Sequence, residues 1–394
     1  MDMRRIYLDH MAAAPLDPRV FQAMVPFLQD HFGNPQSLHS FGQDAQTAVE
    51  DARQSVARLI GASSEEIVFT AGGSESNNFA LKGLATANRE RGTHIVVSAV
   101  EHQSVLRAVK SLEKQGFRST EVPVDASGRV DPDGVGRALA KDTCLVSVMT
   151  ANSEVGTIEP ITEIVKICRG RNVLFHTDAV AAAGHIPLDV KTLGVDALSL
   201  AGDPMSGPKG SAALFVRNGV KISPLIDGGI QEGGRRAGTE NVAAIVGLGR
   251  AAELSLAEMD QRAARARELR DYLIDGLLSR IEHVVLTGHR TERLPHQASF
   301  CVRFIEGEGM LLSLDMKGVA VSSGSACTSK SLKASHVLLA MGLDHALAQG
   351  SIVFGLPASA ARDDIDTVLE VFPPIVRRLR DMSPLYTQFL QEKK

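Results

Sequence analysis

Four short runs of mostly apolar residues, separated by helical stretches, constrain the fold of this chain more than any other feature. They are residues 95–99, 144–150, 173–176 and 197–201. Because the runs lack a regular alternation of apolar and polar residues, both faces of each predicted strand should be buried. Apolar strands that alternate with helices indicate a mostly parallel sheet covered by helices on both sides. The sequence therefore predicts an α/β fold.

The chain has 394 residues, enough for two domains with a sizeable buried core. We predict a large α/β domain over residues 16–260 and a smaller α+β domain formed by residues 1–15 and 261–394. A helical stretch from about residue 240 to 281 contains few helix breakers, and its length suits a connector between the two domains. Short strands again alternate with helices from residue 283 onward.

The composition excludes several classes of partner. The sequence is 44% hydrophobic and 22% charged, which is typical of a globular protein. A formal net charge of −4 and the lack of a long basic run argue against nucleic acid as a partner. No apolar segment follows the N-terminal Met-Asp-Met-Arg-Arg, and no apolar run approaches the roughly 18 residues of a membrane span. We therefore expect a cytoplasmic protein without a membrane segment.

The four cysteines differ in their surroundings. None of them has the CxxC or Cys/His spacing of a zinc site, and nothing suggests a disulfide framework. Cys144, Cys168 and Cys301 lie in apolar stretches, which predicts small core side chains. Cys327 instead follows Ser-Ser-Gly-Ser-Ala, and this sequence predicts an exposed loop thiol. It is either a reactive cysteine or an ordinary loop residue.

Polar residues follow the predicted strands at the points where the strands end. These groups are residues 101–102 (Glu-His), 152–154 (Asn-Ser-Glu) and 177–178 (Thr-Asp). Parallel strands end at one edge of their sheet, and ligands bind outside that edge. A single such residue is often only structural, but three strand ends together favour a site.

A predicted strand at residues 67–70 runs into Ala-Gly-Gly-Ser and then a helix. This arrangement directs backbone N–H groups and the Ser74 hydroxyl toward an anion. The sequence thus predicts a phosphate-binding turn, with a tight strand-to-helix connection as the alternative.

Nine motifs, in order along nearly the whole chain, carry a resemblance to a known family. They occupy residues 6–17, 32–35, 69–78, 101–105, 176–179, 207–210, 235–241, 322–328 and 383–386. With them the chain resembles a cysteine desulfurase of the class V aminotransferase group, whose members are fold-type I pyridoxal-phosphate (PLP) enzymes. The Ser-Ser-Gly-Ser-Ala-Cys-Thr loop and the Ser-Pro-Leu ending resemble the iron–sulfur and nitrogenase-type branch.

The resemblance implies a large domain of PLP-transferase type and a set of site residues. In this family a lysine holds PLP as a Schiff base, and a loop cysteine takes sulfur from the substrate to become a persulfide. Cys327 falls on the cysteine position. The implied cofactor-binding residues are Ser74, His102, Asp178 and Thr239. A homodimer is also implied, because a segment like residues 235–239 completes the neighbouring subunit's site.

The sequence departs from the family pattern where the cofactor should be held. The family loop reads Ser-Gly-His-Lys, but here residues 201–204 read Ala-Gly-Asp-Pro. Pro204 therefore stands at the Schiff-base lysine and has no amine. Lys209 belongs to a separate Gly-Pro-Lys-Gly motif that the family carries in addition. The other altered family positions are Ser153, Ala181, Ala201, Asp203, Gly233 and Val353, of which Val353 replaces the arginine that would bind the substrate carboxylate.

These replacements predict a protein that is not a conventional desulfurase. They argue against PLP held as a covalent aldimine and leave noncovalent PLP open. The first hypothesis is a sulfur-transfer or iron–sulfur-cluster role, with Cys327 as persulfide carrier or cluster ligand and a scaffold or sulfur-acceptor protein as partner. The second is an active enzyme, either a desulfurase with noncovalent PLP or one with a new reaction in the altered pocket. The third is a structural or regulatory subunit.

Overall fold

A computed structural model describes residues 4–323 and 334–392 of the chain. The strands in this part are β1 Ile6–Tyr7, β2 Ile67–Thr70, β3 His94–Ser98, β4 Arg118–Val122, β5 Thr143–Ser147, β6 Leu174–Asp178, β7 Ala197–Ala201, β8 Ala212–Val216, β9 Val284–Thr287, β10 Gln297–Val302, β11 Val319–Ala320 and β12 Ser351–Gly355. The predicted nucleophile position, Cys327, lies outside the described residues.

The helices surround these strands. In chain order they are α1 Pro18–Gln29, α2 Ser40–Leu59, α3 Gly73–Ala87, α4 Gln103–Glu113, α5 Pro132–Ala138, α6 Ile161–Gly170, α7 Val190–Leu193, α8 Val242–Arg280, α9 Gly307–Asp315, α10 His336–Ala340, α11 His345–Gln349, α12 Arg362–Asp381 and α13 Pro384–Glu392. Asp17 is the N-cap of α1, and its carboxylate accepts the Arg19 N–H at 2.8 Å. Gly61, with φ of 68°, follows the end of α2.

The main sheet has the order β2-β8-β7-β6-β5-β3-β4 in the described residues. Only β8 pairs antiparallel with its neighbours, β2 and β7, and the remaining pairs are parallel. Every residue of the consecutive strands β5 to β8 is buried. Apolar clusters fill the space between the sheet and the helices on each face. The predicted mostly parallel α/β sheet is confirmed.

Two smaller sheets lie in the remainder of the chain. One has the antiparallel order β12-β10-β9, and in the other β1 pairs in parallel with β11. Their core contains side chains from β1, α8, β10 and α12, so the N-terminal segment packs with the C-terminal part. The predicted boundary near residue 260 falls inside the continuous helix α8, and the division into two domains stays a prediction.

Strand β4 and helix α13 are among the elements that were not predicted from the sequence. Strand β4 pairs with the edge of the main sheet, although its Arg-Ser-Thr-Glu-Val sequence lacks an apolar run. Helix α13 begins at Pro384, directly after Ser383, and continues the chain to Glu392. No helix in residues 4–323 and 334–392 combines the length and apolar character needed to cross a membrane.

Candidate functional site

The carboxyl ends of β3, β5 and β6 bring the predicted strand-end residues to one edge of the main sheet. Glu101 and His102 follow β3, Ser153 follows β5, and Asp178 is the last residue of β6. Because these strands are parallel, all four residues lie at the carboxyl-terminal edge of the sheet. The sequence prediction of a polar strand-end cluster therefore agrees with the topology.

A hydrogen-bonded chain connects His102 to Asp178. The Nδ1 atom of His102 lies 2.7 Å from Ser104 Oγ and accepts the Ser104 backbone N–H at 3.2 Å. Asn77 Nδ2 donates to Ser104 Oγ at 2.9 Å and to Asp178 Oδ2 at 2.6 Å. Since a backbone N–H can only donate, the neutral His102 ring carries its proton on Nε2. Helix α3, through Asn77, thus couples the two predicted site residues.

Asp178 is a buried carboxylate with two described hydrogen bonds. Its second oxygen accepts the Val180 N–H at 2.9 Å. Burial raises the pKa of Asp178, while the Val180 bond, the His102 charge and the Asn77 bond act in the opposite direction. A ligand group that carries a positive charge or an N–H would stabilise the ionised form of Asp178.

Two further carboxyl groups border the same region. Glu101 is fully buried, and its Oε1 accepts the Ser98 hydroxyl at 2.8 Å and the Met149 N–H at 2.7 Å. Burial raises its pKa well above the ordinary value, and Oε2 has no hydrogen-bond partner among the described residues. Glu154 receives a hydrogen bond from Ser335, and burial raises the pKa of Glu154 to about 7. Glu154 is therefore able to hold or release a proton near neutral pH, and burial disfavours the ionised form of Glu101.

A cavity of about 220 Å³ lies beside His102. Its described lining is Met11, Ala12, Val100, Glu101, His102, Gln103, Met149, Asn152, Ser153, Glu154, Ser322, Ser323, Ala334, Ser335, His336, Val337 and Val353. Two altered family positions, Ser153 and Val353, therefore border the same cavity as His102. Ser323 and Ala334 are the described residues on either side of the segment that contains Cys327, and both border the cavity.

His336 and Ser335 are site residues that the sequence reasoning missed. His336 Nε2 lies 3.0 Å from the Glu101 carbonyl, and its Nδ1 lies 3.3 Å from Gln103 Nε2. Burial lowers the pKa of His336. Both residues come from a distant part of the chain, so no local pattern connects them to the strand ends.

The loop after β7 contains the altered positions Asp203 and Pro204. Ala201 ends the strand in a buried position, and Asp203–Met205 form a short 3-10 turn. The Asp203 carboxylate forms an ion pair with Lys209 Nζ at 2.9 Å, and Lys209 Nζ also donates to the Ala14 carbonyl at 3.3 Å. Pro204 has no amine, and the Lys209 amine is already paired. These residues do not fit PLP held through a lysine.

The remaining predicted residues lie farther from the cavity. Ser74 and Thr239 are exposed and Ala181 is half-buried, and none of the three is among the described residues that line the cavity. Ser74 is in the first turn of α3, as the predicted anion-binding turn requires. An ion pair between Arg236 and Glu75 at 2.9 Å joins the 235–239 segment to the same turn. Their roles in binding stay predictions.

Comparison with known proteins decides the family. The model of the class-V aminotransferases matches residues 6–368. The chain is 50% identical over 391 residues to the cysteine desulfurase IscS of Dictyoglomus turgidum, with 99% of both chains covered. This chain belongs to the cysteine desulfurase family of the class-V aminotransferases. The family resemblance predicted from the motifs is confirmed.

Other relatives and solved structures agree. Cysteine desulfurase IscS 1 of Archaeoglobus fulgidus is 47% identical over 380 residues, covering 96% of this chain and 99% of that protein. A NifS-like protein structure superimposes with a TM-score of 0.90 at 36% identity, covering 95% of this chain and all of the other. A NifS-like protein from Rickettsia africae gives 0.86 at 31% identity, with the same coverage. The fold of this family is therefore preserved over almost the whole chain.

Proposed function

We propose that this protein is a sulfur-transfer member of the cysteine desulfurase family that carries sulfur on Cys327 and does not hold PLP through a lysine. The observation that carries the proposal is Pro204, which occupies the position of the family's Schiff-base lysine at the end of β7. A proline has no amine for this role. Lys209, the nearest lysine in the sequence, is engaged by Asp203.

The other cysteines support Cys327 as the reactive thiol. Cys144, Cys168 and Cys301 are buried. Burial raises the pKa of Cys144 to about 11 and the pKa of Cys168 and Cys301 to about 12, so these thiols stay protonated at neutral pH. Only the thiolate is an effective nucleophile. Two further observations support Cys327 as the reactive thiol. Cys327 lies in the 322–328 family motif, and Ser323 and Ala334, the described residues on either side of its segment, border the cavity.

The proposed transfer needs no oxidant. The Cys327 thiolate attacks the terminal sulfur of a donor persulfide and forms a new S–S bond. The donor's S–S bond breaks, the electron pair leaves with the donor thiolate, and Cys327 becomes a persulfide. An acceptor thiolate can then remove the terminal sulfur by the same exchange.

The test is transfer of sulfur from glutathione persulfide to the purified protein, followed by mass spectrometry of the intact chain and of its peptides. We expect one added sulfur atom on the peptide that contains Cys327, and none on the Cys327→Ser variant. The Cys301→Ser variant is the matched control and should gain sulfur like the wild type. Equal labelling of the Cys327→Ser variant would contradict the assignment.

A second candidate is a desulfurase that holds PLP noncovalently. The observation that favours it is the retained chain from His102 through Ser104 and Asn77 to Asp178. PLP, when bound, supplies an electron sink. Sulfide release from free cysteine that depends on added PLP and is lost in an Asp178→Ala variant would favour this candidate over the first.

Cys327 as an iron–sulfur-cluster ligand is the related alternative. Iron and acid-labile sulfide in protein purified without oxygen, both lost in the Cys327→Ser variant, would support it. Persulfide transfer without bound iron would favour the carrier role. A scaffold or sulfur-acceptor protein is the proposed partner in either case, and a cytoplasmic location stays a prediction.

We also propose a homodimer. Large apolar side chains near α1 and α2 are exposed, among them Phe32 at 75%, Leu38 at 93% and Phe41 at 54%. Ile230 is 78% exposed beside the 235–239 segment that the resemblance assigns to a dimer contact. Phe32 and Phe41 stack with ring centroids 5.7 Å apart, and exposed apolar side chains that cluster in this way often mark a protein interface. Sedimentation measurements should show a dimer for the wild type and weaker dimerisation for the Phe32→Glu variant. A monomeric wild type would contradict the proposal.

A further inference from the structure

Three histidines from distant parts of the chain meet beneath the turn that contains Pro204. His10 follows β1, His185 follows β6, and His296 precedes β10. The rings of His185 and His296 stack, with centroids 3.8 Å apart and planes inclined by 22°. His185 Nε2 lies 3.0 Å from the Pro204 carbonyl, and this contact requires the proton of His185 on Nε2.

The three imidazoles border a small cavity of about 40 Å³. Its other lining residues are Gly184, Pro204, Met205, Ser206, Ser255, Arg262, Ala263, Ala266, Pro295, Leu356 and Ala358. The volume exceeds the roughly 10–15 Å³ that a single water requires. It is suited to a monatomic or diatomic guest, and among the described residues that line it only Arg262 is charged when the imidazoles are neutral.

Two buried polar groups in this lining have no hydrogen-bond partner in the described structure. They are His296 Nδ1 and Ser255 Oγ, on residues that are 4% and 1% exposed. Unpaired buried polar atoms are costly and rare, so each calls for a partner in the cavity, either a water or a ligand. Gly184, with φ of 78°, preserves the space, because a Cβ atom there would lie 2.9 Å from Ser255 Oγ.

The chemistry of the lining decides what kind of ligand fits. A metal ion does not, because His185 Nε2 is engaged by the Pro204 carbonyl, and no metal-binding group of three side chains occurs in residues 4–323 and 334–392. An anion fits, because Ser255 can donate its hydroxyl proton and Arg262 contributes a positive charge. A neighbouring imidazole can take up a proton when the anion enters, and a protonated ring stacks favourably on a neutral one.

We propose that the His10, His185, His296 and Ser255 cavity binds a small monovalent anion of chloride or hydrosulfide size together with a proton. This inference does not depend on the sulfur-transfer role of Cys327. Burial lowers the pKa of His10 and His185 to about 4 and holds the pKa of His296 well below its ordinary value, so the free cavity holds neutral rings at pH 7. Binding should therefore weaken by up to about tenfold per unit of rising pH, as uptake of one proton requires.

Several charged groups surround the cluster and bear on this pH dependence. Asp203 acts on His10, and Arg262 and Arg270 act on His185 and His296 respectively. Arg262 is itself paired with Glu258 and lies 4.0 Å from Asp17. Since Arg262 is partly neutralised outside the cavity, the proton taken up by an imidazole supplies the remaining positive charge.

The test uses bromide as the probe in crystals and in solution. Anomalous diffraction from crystals soaked in sodium bromide should show one peak in the cavity. The peak should be lost in the Ser255→Ala and His296→Asn variants and kept in the control His31→Asn, which alters an exposed ring. Two variants are used so that a folding defect in one leaves the other informative. A cavity that holds only water, or a peak that persists in both variants, would overturn the proposal.

Competition in solution distinguishes the anions. Bromide affinity, followed by the NMR shifts of the histidine ring protons, should rise as pH falls from 8 to 6, the interval over which we expect up to about a hundredfold change. Displacement of bromide by chloride alone identifies a halide site, and displacement by hydrosulfide at lower concentration identifies a sulfide site. Bromide affinity that does not change with pH would refute the coupled proton.

Discussion

Glu232 provides a sharp test of how the structure holds the segment before residues 235–239. Its carboxylate accepts two hydrogen bonds from Arg53, each 2.7 Å long, and the Phe69 N–H at 2.8 Å. The Arg53 and Glu232 side chains are only 10% and 3% exposed. Glu232 also has a positive φ of 51°, so the pairing fixes an unusual backbone turn.

Replacing Glu232 with alanine should lower the free energy of unfolding by about 3–5 kcal/mol, because it leaves a buried guanidinium and the Phe69 N–H without their partner. Among the described residues, Arg53 then retains only Glu50, at 3.1 Å, as a charged partner. Equilibrium unfolding in urea measures the loss. The control is Arg137→Ala, which breaks an exposed pair with Asp131 and should leave the free energy of unfolding nearly unchanged. Equal losses in the two variants would refute the reasoning.

The remaining predictions concern pH and core packing. Burial raises the pKa of Glu159 to about 8, so the folded state keeps a proton that the unfolded state releases, and stability falls as pH rises from 4.5 to 8. Glu159→Gln should remove up to about 1.4 kcal/mol per pH unit of this slope in urea titrations, and an unchanged slope would contradict it. Phe300→Ala should cost about 3–5 kcal/mol in urea unfolding, since Phe300 is fully buried against Phe354. The exposed control Met316→Ala should change stability by less than about 0.5 kcal/mol.

Much of the fold follows from local sequence. The predicted strands at residues 67–70 and 197–201 match β2 and β7, because short continuous apolar runs between turn signals are typical of buried strands. The other predicted strands begin or end at different residues from the observed strands, because apolar residues continue beyond the paired region. Strand β4 was missed because an edge strand needs no apolar run, and its pairing with β3 is a tertiary contact.

The site was predictable only where the sheet topology determines it. Parallel strands bring His102 and Asp178 to one edge, so their proximity follows from the strand pattern. The contacts of His336 with Glu101 and Gln103 join residues more than 230 positions apart, and no local period indicates them. The cluster of His10, His185 and His296 was missed for the same reason.

The most direct test of the central claim is whether any lysine holds PLP. Purified protein is incubated with excess PLP and reduced with sodium borohydride, and its intact mass and peptides are measured. We predict no stoichiometric pyridoxyl group on the wild-type chain, and one at position 204 in the double variant Asp203→His, Pro204→Lys. A stoichiometric pyridoxyl group on Lys209 of the wild type, with sulfide release from cysteine, would contradict the account.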